Sequence, residues 1–162
     1  FFTWRNILFD RKISAKECIH LQVVFFLLPK SETVYLQDSF CARQALEKMQ
    51  HHGLTALPIL DSEGRYTGTI TASDFLWYFK DKDDISMQTA SKVPLMEIPR
   101  NHDNVPVSVN ARIEDLFDAA MAQNFIPMID DRGVFVGIVR RREILEYYKQ
   151  QIVGKLVAER QE

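Results

Sequence analysis

The sequence predicts an α+β fold made of two copies of one helix-strand-strand-helix unit. Three observations carry this reading. Leu57-Pro58-Ile59-Leu60-Asp61 reads again as Ile126-Pro127-Met128-Ile129-Asp130. The match then runs on without a gap, placing Gly64 on Gly133, Tyr66 on Phe135, Gly68 on Gly137, Ile70 on Val139, Asp74 on Glu143, Leu76 on Leu145 and Tyr78 on Tyr147. Within each copy the pattern passes from helical periodicity to two short apolar runs split by a glycine turn, and back to a helix. Such self-similarity fixes the architecture before any motif is read.

Each copy opens on an amphipathic helix. Cys41, Ala45 and Met49 make one apolar stripe, and Ile113, Phe117 and Met121 make its counterpart. Asp38 and Ser39 precede the first stripe and Asn110 the second, all residue types suited to N-caps. The second copy is three residues shorter around His51-His52-Gly53, which places a turn there. Thr55 to Leu60 suits a strand, Ser62-Glu63-Gly64 a turn, and Arg65 to Thr71 a second strand; Asp131-Arg132-Gly133 repeats the turn. A unit of roughly 55 residues leaves a sheet face and two helix stripes uncovered, so the copies are expected to pack sheet to sheet with a cleft at their pseudo-twofold axis.

The boundaries follow. Residues 1–29 form an N-terminal lead that ends in a buried strand, Leu21 to Leu28, and Phe1 to about His20 receives no function. Residues 30–80 are the first repeat, 81–92 a charged and polar linker, 93–149 the second repeat, and 150–162 a charged helical or fraying tail.

Composition narrows the function classes. With 46% hydrophobic and 26% charged residues and a net charge of -2, the chain reads as an ordinary globular protein with no global attraction for nucleic acid. The run from Leu21 stops at Pro29, far short of the roughly 20 apolar residues of a membrane helix. The basic residues ahead of it, Arg11, Lys12 and Lys16, lead to no small-residue cleavage site. Cys18 and Cys41 have neither CxxC spacing nor an activating context, so a reducing, cytoplasmic compartment is expected, without disulfide, zinc or thiol catalysis. His51 and His52 are adjacent and diverge on a helix, while His20 and His102 stand alone, so no metal site is expected. No Walker loop or dinucleotide glycine fingerprint occurs, and the expectation is a protein that is not an enzyme.

The residues resemble a known family at this point. The helix stripe, the hydrophobic-Pro-hydrophobic-hydrophobic-Asp strand, the glycine turn, and then Gly68-Thr69-Ile70-Thr71-Ala72-Ser73-Asp74 are each similar to parts of a CBS domain. The series occurs twice in order, from about Lys30 to Lys149. The resemblance implies a Bateman module, a pair of CBS domains binding an adenosine-containing regulatory ligand such as AMP, ADP, ATP, S-adenosylmethionine or cyclic di-AMP. It also implies a disc-like homodimer that signals to a regulated protein, as yet unidentified. The alternative is a structural dimerisation module with no ligand.

Carried residue by residue, the resemblance assigns ribose or phosphate contacts to Thr71 and Asp74, and the adenine wall to the Pro strands, Ala56, Leu57 and Pro58 with Ile126 and Pro127. Tyr35 is a further candidate for sandwiching the base. A carboxylate suits a ribose because it is acceptor-only and takes two hydroxyl donors at once. Thr71-x-x-Asp74 ahead of an apolar run is equally a capping box that needs no ligand. The second copy departs from the pattern, with Arg140 at the Thr position and Glu143 at the Asp position, which puts its ribose role in doubt. Arg140, Arg141 and Arg142 oppose the helix dipole there and are candidates to grip phosphate, or else form a solvated basic turn. Arg100 is a further phosphate candidate on grounds of the resemblance. Phe75, Leu76, Trp77, Tyr78 and Phe79, with Ile144, Leu145, Tyr147 and Tyr148, are too many apolar residues for one buried stripe, which points to a helix-mediated homodimer.

Overall fold

The computed structural model describes residues 23, 25–80, 82 and 86–158. In chain order the elements are β1 (Leu27–Pro29), β2 (Leu36–Gln37), α1 (Ala42–His52), β3 (Ala56–Leu60), β4 (Tyr66–Thr71), α2 (Ala72–Lys80), α3 (Met87–Ala90), β5 (Val107–Ser108), α4 (Ile113–Ala122), β6 (Phe125–Ile129), β7 (Phe135–Arg140) and α5 (Arg141–Ala158). Among these, two hairpins dominate. β3 pairs antiparallel with β4, and β6 with β7, in registers that superimpose at the repeat offset: Ala56 faces Thr71 as Phe125 faces Arg140. Both break at the same place, between Ile59 and Leu60 and between Met128 and Ile129, so that Thr67 and Val136 are the extra residues of matching bulges.

The turns have a chemical cause. Asp61 Oδ1 accepts from the N–H groups of Glu63 at 2.9 Å and Arg65 at 2.8 Å, and Asp130 Oδ1 does the same for Arg132 and Val134. Gly64 and Gly133 supply the left-handed residue, at φ 77° and 79°. Pro58 and Pro127 sit inside strands without disrupting them. The flanking parallel strands cover only Ile59 and Leu60 in one sheet and Met128 and Ile129 in the other, leaving the edge beside each proline bare.

Each repeat has its own core. Leu36, Ala45, Met49, Ile59, Ile70 and Phe75 centre the first, and Leu116, Ala120, Ile126, Met128, Val139 and Ile144 the second. The repeats exchange segments to complete these cores. β1 lies antiparallel on β7, pairing Leu27 with Val139 and Pro29 with Gly137, so the lead strand closes the sheet of the second repeat. Conversely Ala90, Leu95 and Ile98 bury into the first core, and Leu95 N–H donates to the Phe40 carbonyl at 2.8 Å. Leu95 and Ile98, on the far side of the expected boundary at residue 93, therefore pack with the first repeat. The hairpins meet where Arg65 bridges Val134, with Tyr66 stacked on Phe135 at 6.5 Å between centroids.

Four expectations change. The run from Leu21 to Leu28 is not one strand: Val23, Phe25 and Phe26 are helical and only Leu27–Pro29 is extended, while Leu21, Gln22 and Val24 lie outside the described residues. The first helix is capped at Cys41 rather than Asp38 or Ser39, with Gln44 Oε1 accepting from Cys41 N–H at 3.0 Å. Arg112, not Asn110, caps the fourth, through Asp115. The helix stripes change in part: Ala45 and Met49 are buried as expected with Ala42 in place of Cys41, while the fourth helix buries Leu116 and Ala120, packs Ile113 and Phe117 at the edge of the core, and leaves Met121 73% exposed. Cys41 could not lie on the stripe because it precedes the first helical turn. Cys18, His20, most of the Asp81-Lys82-Asp83-Asp84 run and the last four residues of the tail lie outside the described residues.

Candidate ligand-binding site

Exchanging segments produces two non-equivalent clefts. The first is an open cavity of about 530 Å³, within the size range of small-molecule sites. Thr33 and Val34 from the segment before β2, Ala56, Leu57 and Pro58 from the bare edge of β3, and Ile138 and Arg140 from β7 line it, with Leu28, Glu32, Asn124, Phe125 and Arg142 around them. Its wall is apolar and its two arginines come from the other repeat. Ala56, Leu57 and Pro58 thus share this cleft with Arg140 and Arg142, whereas Thr71, although paired with Ala56 across the hairpin, lines the other cleft with Asp74.

The three arginines point apart. Arg140 ends β7, is exposed, and has no ion-pair partner among the described residues. Arg141 turns back, its Nε donating to the Gln123 carbonyl at 3.1 Å. Arg142 pairs with Glu146 one turn along α5 at 2.8 Å, and that carboxylate holds its guanidinium charged. Arg141 and Arg142 also line an adjoining groove with Asn124, Leu145, Glu146 and Lys149. Glu143 is half-buried and lines neither cavity.

The second cleft lies by Thr71, Ser73, Asp74, Trp77, Asn101 and His102. Asp74 is 2% exposed and its acceptor capacity is filled. Oδ2 accepts from Thr71 N–H at 2.8 Å and the Thr71 hydroxyl at 2.7 Å, and the Asp74 N–H returns a bond to that hydroxyl at 3.3 Å. Oδ1 accepts from the backbone N–H of Asn101 at 3.0 Å and its carboxamide at 3.1 Å. Burial pushes this carboxyl up, but the donors on Asn101 and Thr71 together outweigh it and hold it below its ordinary value. The capping box is therefore formed, and a ligand is not needed to satisfy Asp74.

Other candidates fall elsewhere. The Tyr35 ring lies between the ammonium groups of Lys30 and Lys48, at 5.5 and 5.3 Å, and does not line the open cleft; Thr33 and Val34 hold that position. Ile126 is fully buried in the second core and Pro127 is buried beside it, so Phe125 is the β6 residue that reaches the open cleft. Arg100 pairs with Asp103 at 3.4 Å beside Gly68 and lines neither cleft. Thr33, Val34 and Ile138 were absent from the sequence candidates. The repeat hinted at one of them, since Val34 and Val105 both stand two residues before a paired parallel strand. Among the described residues no cluster of His, Cys, Asp and Glu could hold a metal, and no helix is long and apolar enough to cross a membrane.

Two hairpin repeats, each completed by a segment of the other and enclosing a ligand-sized cleft, define a tandem-repeat binding module. The chain belongs to the CBS domain family, which matches residues 38–81 and 95–150. It is similar to cyclic di-AMP receptor B of Bacillus subtilis (strain 168), at 24% identity over 145 residues, 86% of this chain and 95% of that protein. Among solved structures, a CBS domain protein from Streptococcus pneumoniae TIGR4 superimposes with a TM-score of 0.72 at 26% identity, covering 85% of this chain and 95% of that one. The Listeria monocytogenes CbpB protein in complex with c-di-AMP does so with a TM-score of 0.71 at 18% identity, over 81% and 97% of the two chains. That last likeness speaks to the fold.

Proposed function

We propose that this chain is a regulatory receptor that binds an adenine nucleotide in the open cleft and is not an enzyme. The observation that carries the reading is the meeting, in one 530 Å³ cavity, of an apolar wall from β3 with the exposed Arg140 of β7. Val34, Ala56, Leu57 and Ile138 take the flat base. Arg140, with Arg142 beside it, takes phosphate as a bidentate donor. The relative named as a cyclic di-AMP receptor makes that dinucleotide the first candidate, ahead of AMP, ADP, ATP and S-adenosylmethionine.

Signalling in this reading requires a ligand that prefers one packing of the repeats over another. Leu76, Trp77 and Leu145 are 62%, 55% and 53% exposed, and together with Met121 they supply apolar surface for the homodimer the reading includes. The regulated partner is a further protein of the cytoplasm. The alternative, a ligand-free dimerisation module, draws support from the saturated carboxylate of Asp74.

The test is the melting temperature of the chain and of Arg140→Glu with each of the five ligands. Selective binding to the native state at a hundred times Kd adds about 2.7 kcal/mol, which for a chain of this size raises the melting temperature by about 5–10 °C. A shift with one nucleotide that disappears in Arg140→Glu supports the receptor. No shift with any of them establishes the dimerisation module instead.

A further inference from the structure

The geometry points to Asn124 as the residue that selects adenine over other purines in the open cleft. The inference deepens the adenine-nucleotide reading and rests on it for the site and the class of ligand. The apolar wall of Val34, Ala56, Leu57 and Ile138 meets the face of a base, and every purine offers such a face. Arg140 and Arg142 are donors only, and Glu32 is an acceptor only. Among the described residues that line the cleft, Asn124 supplies the single carboxamide, with a donor and an acceptor on separate atoms. Its side chain makes no hydrogen bond among the described residues. The carboxamides nearby are spent on the fold: both polar atoms of Gln123 bond to Val105, at 2.8 Å each, and Asn104 Nδ2 donates to the Phe125 carbonyl at 2.8 Å.

The backbone fixes where that side chain starts. Arg141 N–H donates to the Asn124 carbonyl at 3.0 Å, and Arg141 Nε donates to the Gln123 carbonyl at 3.1 Å. Immediately after Asn124, the buried Phe125 opens β6 and faces Arg140 across the hairpin. The repeat supplies a comparison. Asn124 falls on Thr55, whose carbonyl accepts from Ala72 N–H at 2.8 Å in the same way. Both residues are exposed and both line the open cleft. A hydroxyl donates and accepts through one oxygen and does not span two atoms of a base edge. The two sides of the cleft therefore differ, and the carboxamide stands on the side that carries the arginines.

In an anti nucleotide the imidazole edge of the purine lies toward the 5′-phosphate, so a phosphate on Arg140 brings N7 and the substituent on C6 to the side of Asn124. Adenine presents an acceptor there, N7, and a donor, the N6 amino group, and one carboxamide pairs with both at once. Guanine and hypoxanthine present two acceptors, N7 and O6, so the carboxamide oxygen faces another oxygen and one bond is lost. A matched bidentate pair discriminates by on the order of tenfold to a hundredfold. The preference for adenine thus resides in one side chain of the second repeat, while the wall and the arginines bind without reading the base.

The experiment is calorimetric titration of the full chain, Asn124→Leu and Asn124→Ala with AMP and cyclic di-AMP, and with the inosine and 7-deazaadenine counterparts of each. Hypoxanthine replaces the N6 donor, and 7-deazaadenine removes the N7 acceptor. In the wild type each change is expected to weaken binding about tenfold or more. In both variants the three bases are expected to bind alike, with the affinity for the inosine ligand close to that of the wild type. A structural role for Asn124 would instead weaken every ligand by one factor, or abolish binding of all of them, and either outcome overturns the inference. So does a wild type that binds the three bases equally. These results leave the open-cleft reading intact, because the wild type still binds adenine ligands. A wild type that binds none of the ligands sinks the receptor and its base reader together.

Discussion

Asp74 is a residue on which stability rests. Replacing it with Ala leaves the N–H groups of Thr71 and Asn101 without their acceptor and removes the cap of α2, at a cost of about 1–3 kcal/mol by chemical denaturation. Its folded pKa lies below the unfolded one. Its contribution is therefore complete above the ordinary carboxylate range and is lost as pH falls through the depressed folded value. An acid titration of stability is expected to be shallower in Asp74→Ala than in the wild type. Tyr66 acts at the other end of the scale. Burial pushes its hydroxyl up to about 12, and the nearby Asp103 charge adds to that. A raised pKa favours the protonated form in the folded state, so this contribution is whole below about pH 10 and lost as pH rises to about 12. Tyr66→Phe should flatten that alkaline loss and, through the missing bond to Asn104, cost about 1 kcal/mol at neutral pH.

At the scale of elements, β1 against β7 is the joint most exposed to a single substitution. Gly137 has φ 154°, and a Cβ there would collide with the Leu28 carbonyl and crowd Pro29. Both are backbone atoms and cannot step aside without parting β1 from β7. Gly137→Ala is expected to destabilise the chain by about 3 kcal/mol, from backbone strain and lost pairing together, as a lowered denaturation midpoint. Gly133→Ala, at φ 79° with open space around it, bears the conformational cost alone and should lose less, about 1 kcal/mol. The hairpins and their turns were legible in the sequence because their causes are local: an Asp that accepts two turn N–H groups, a left-handed Gly, and apolar runs of strand length. The first stripe begins at Ala42 and not at Cys41 because capping depends on where the chain arrives. Cys41 is held by a bridge to Pro94, more than fifty residues away.

For the whole molecule, the repeat gave the architecture and left the clefts undecided. Sequence alone grouped Ala56, Leu57 and Tyr35 with Thr71 and Asp74, because they share a copy. The fold instead joins Ala56–Pro58 to Arg140 across the interface and turns Tyr35 toward two lysines. An interface assembled this way makes cleft and interdomain packing interdependent. A nucleotide in the open cleft should accordingly slow exchange in both β3 and β7, from opposite repeats, as read by hydrogen exchange of the whole chain.

What the sequence determined by itself was the repeated unit, its order of helix, strand, strand and helix, and the residue types available to each cleft. These rest on short-range periodicity and turn chemistry, which neighbouring residues specify. What only the tertiary structure decided was which residues share a cleft and which donors satisfy Asp74. β1 crosses to the second sheet and Leu95 and Ile98 to the first core because each sheet and core would otherwise leave apolar surface and strand edges in water. That exchange brings Arg140 to the β3 wall and lays Asn101 on Asp74. Contacts between residues so distant in sequence are set by the burial of the whole molecule, and no local pattern encodes them.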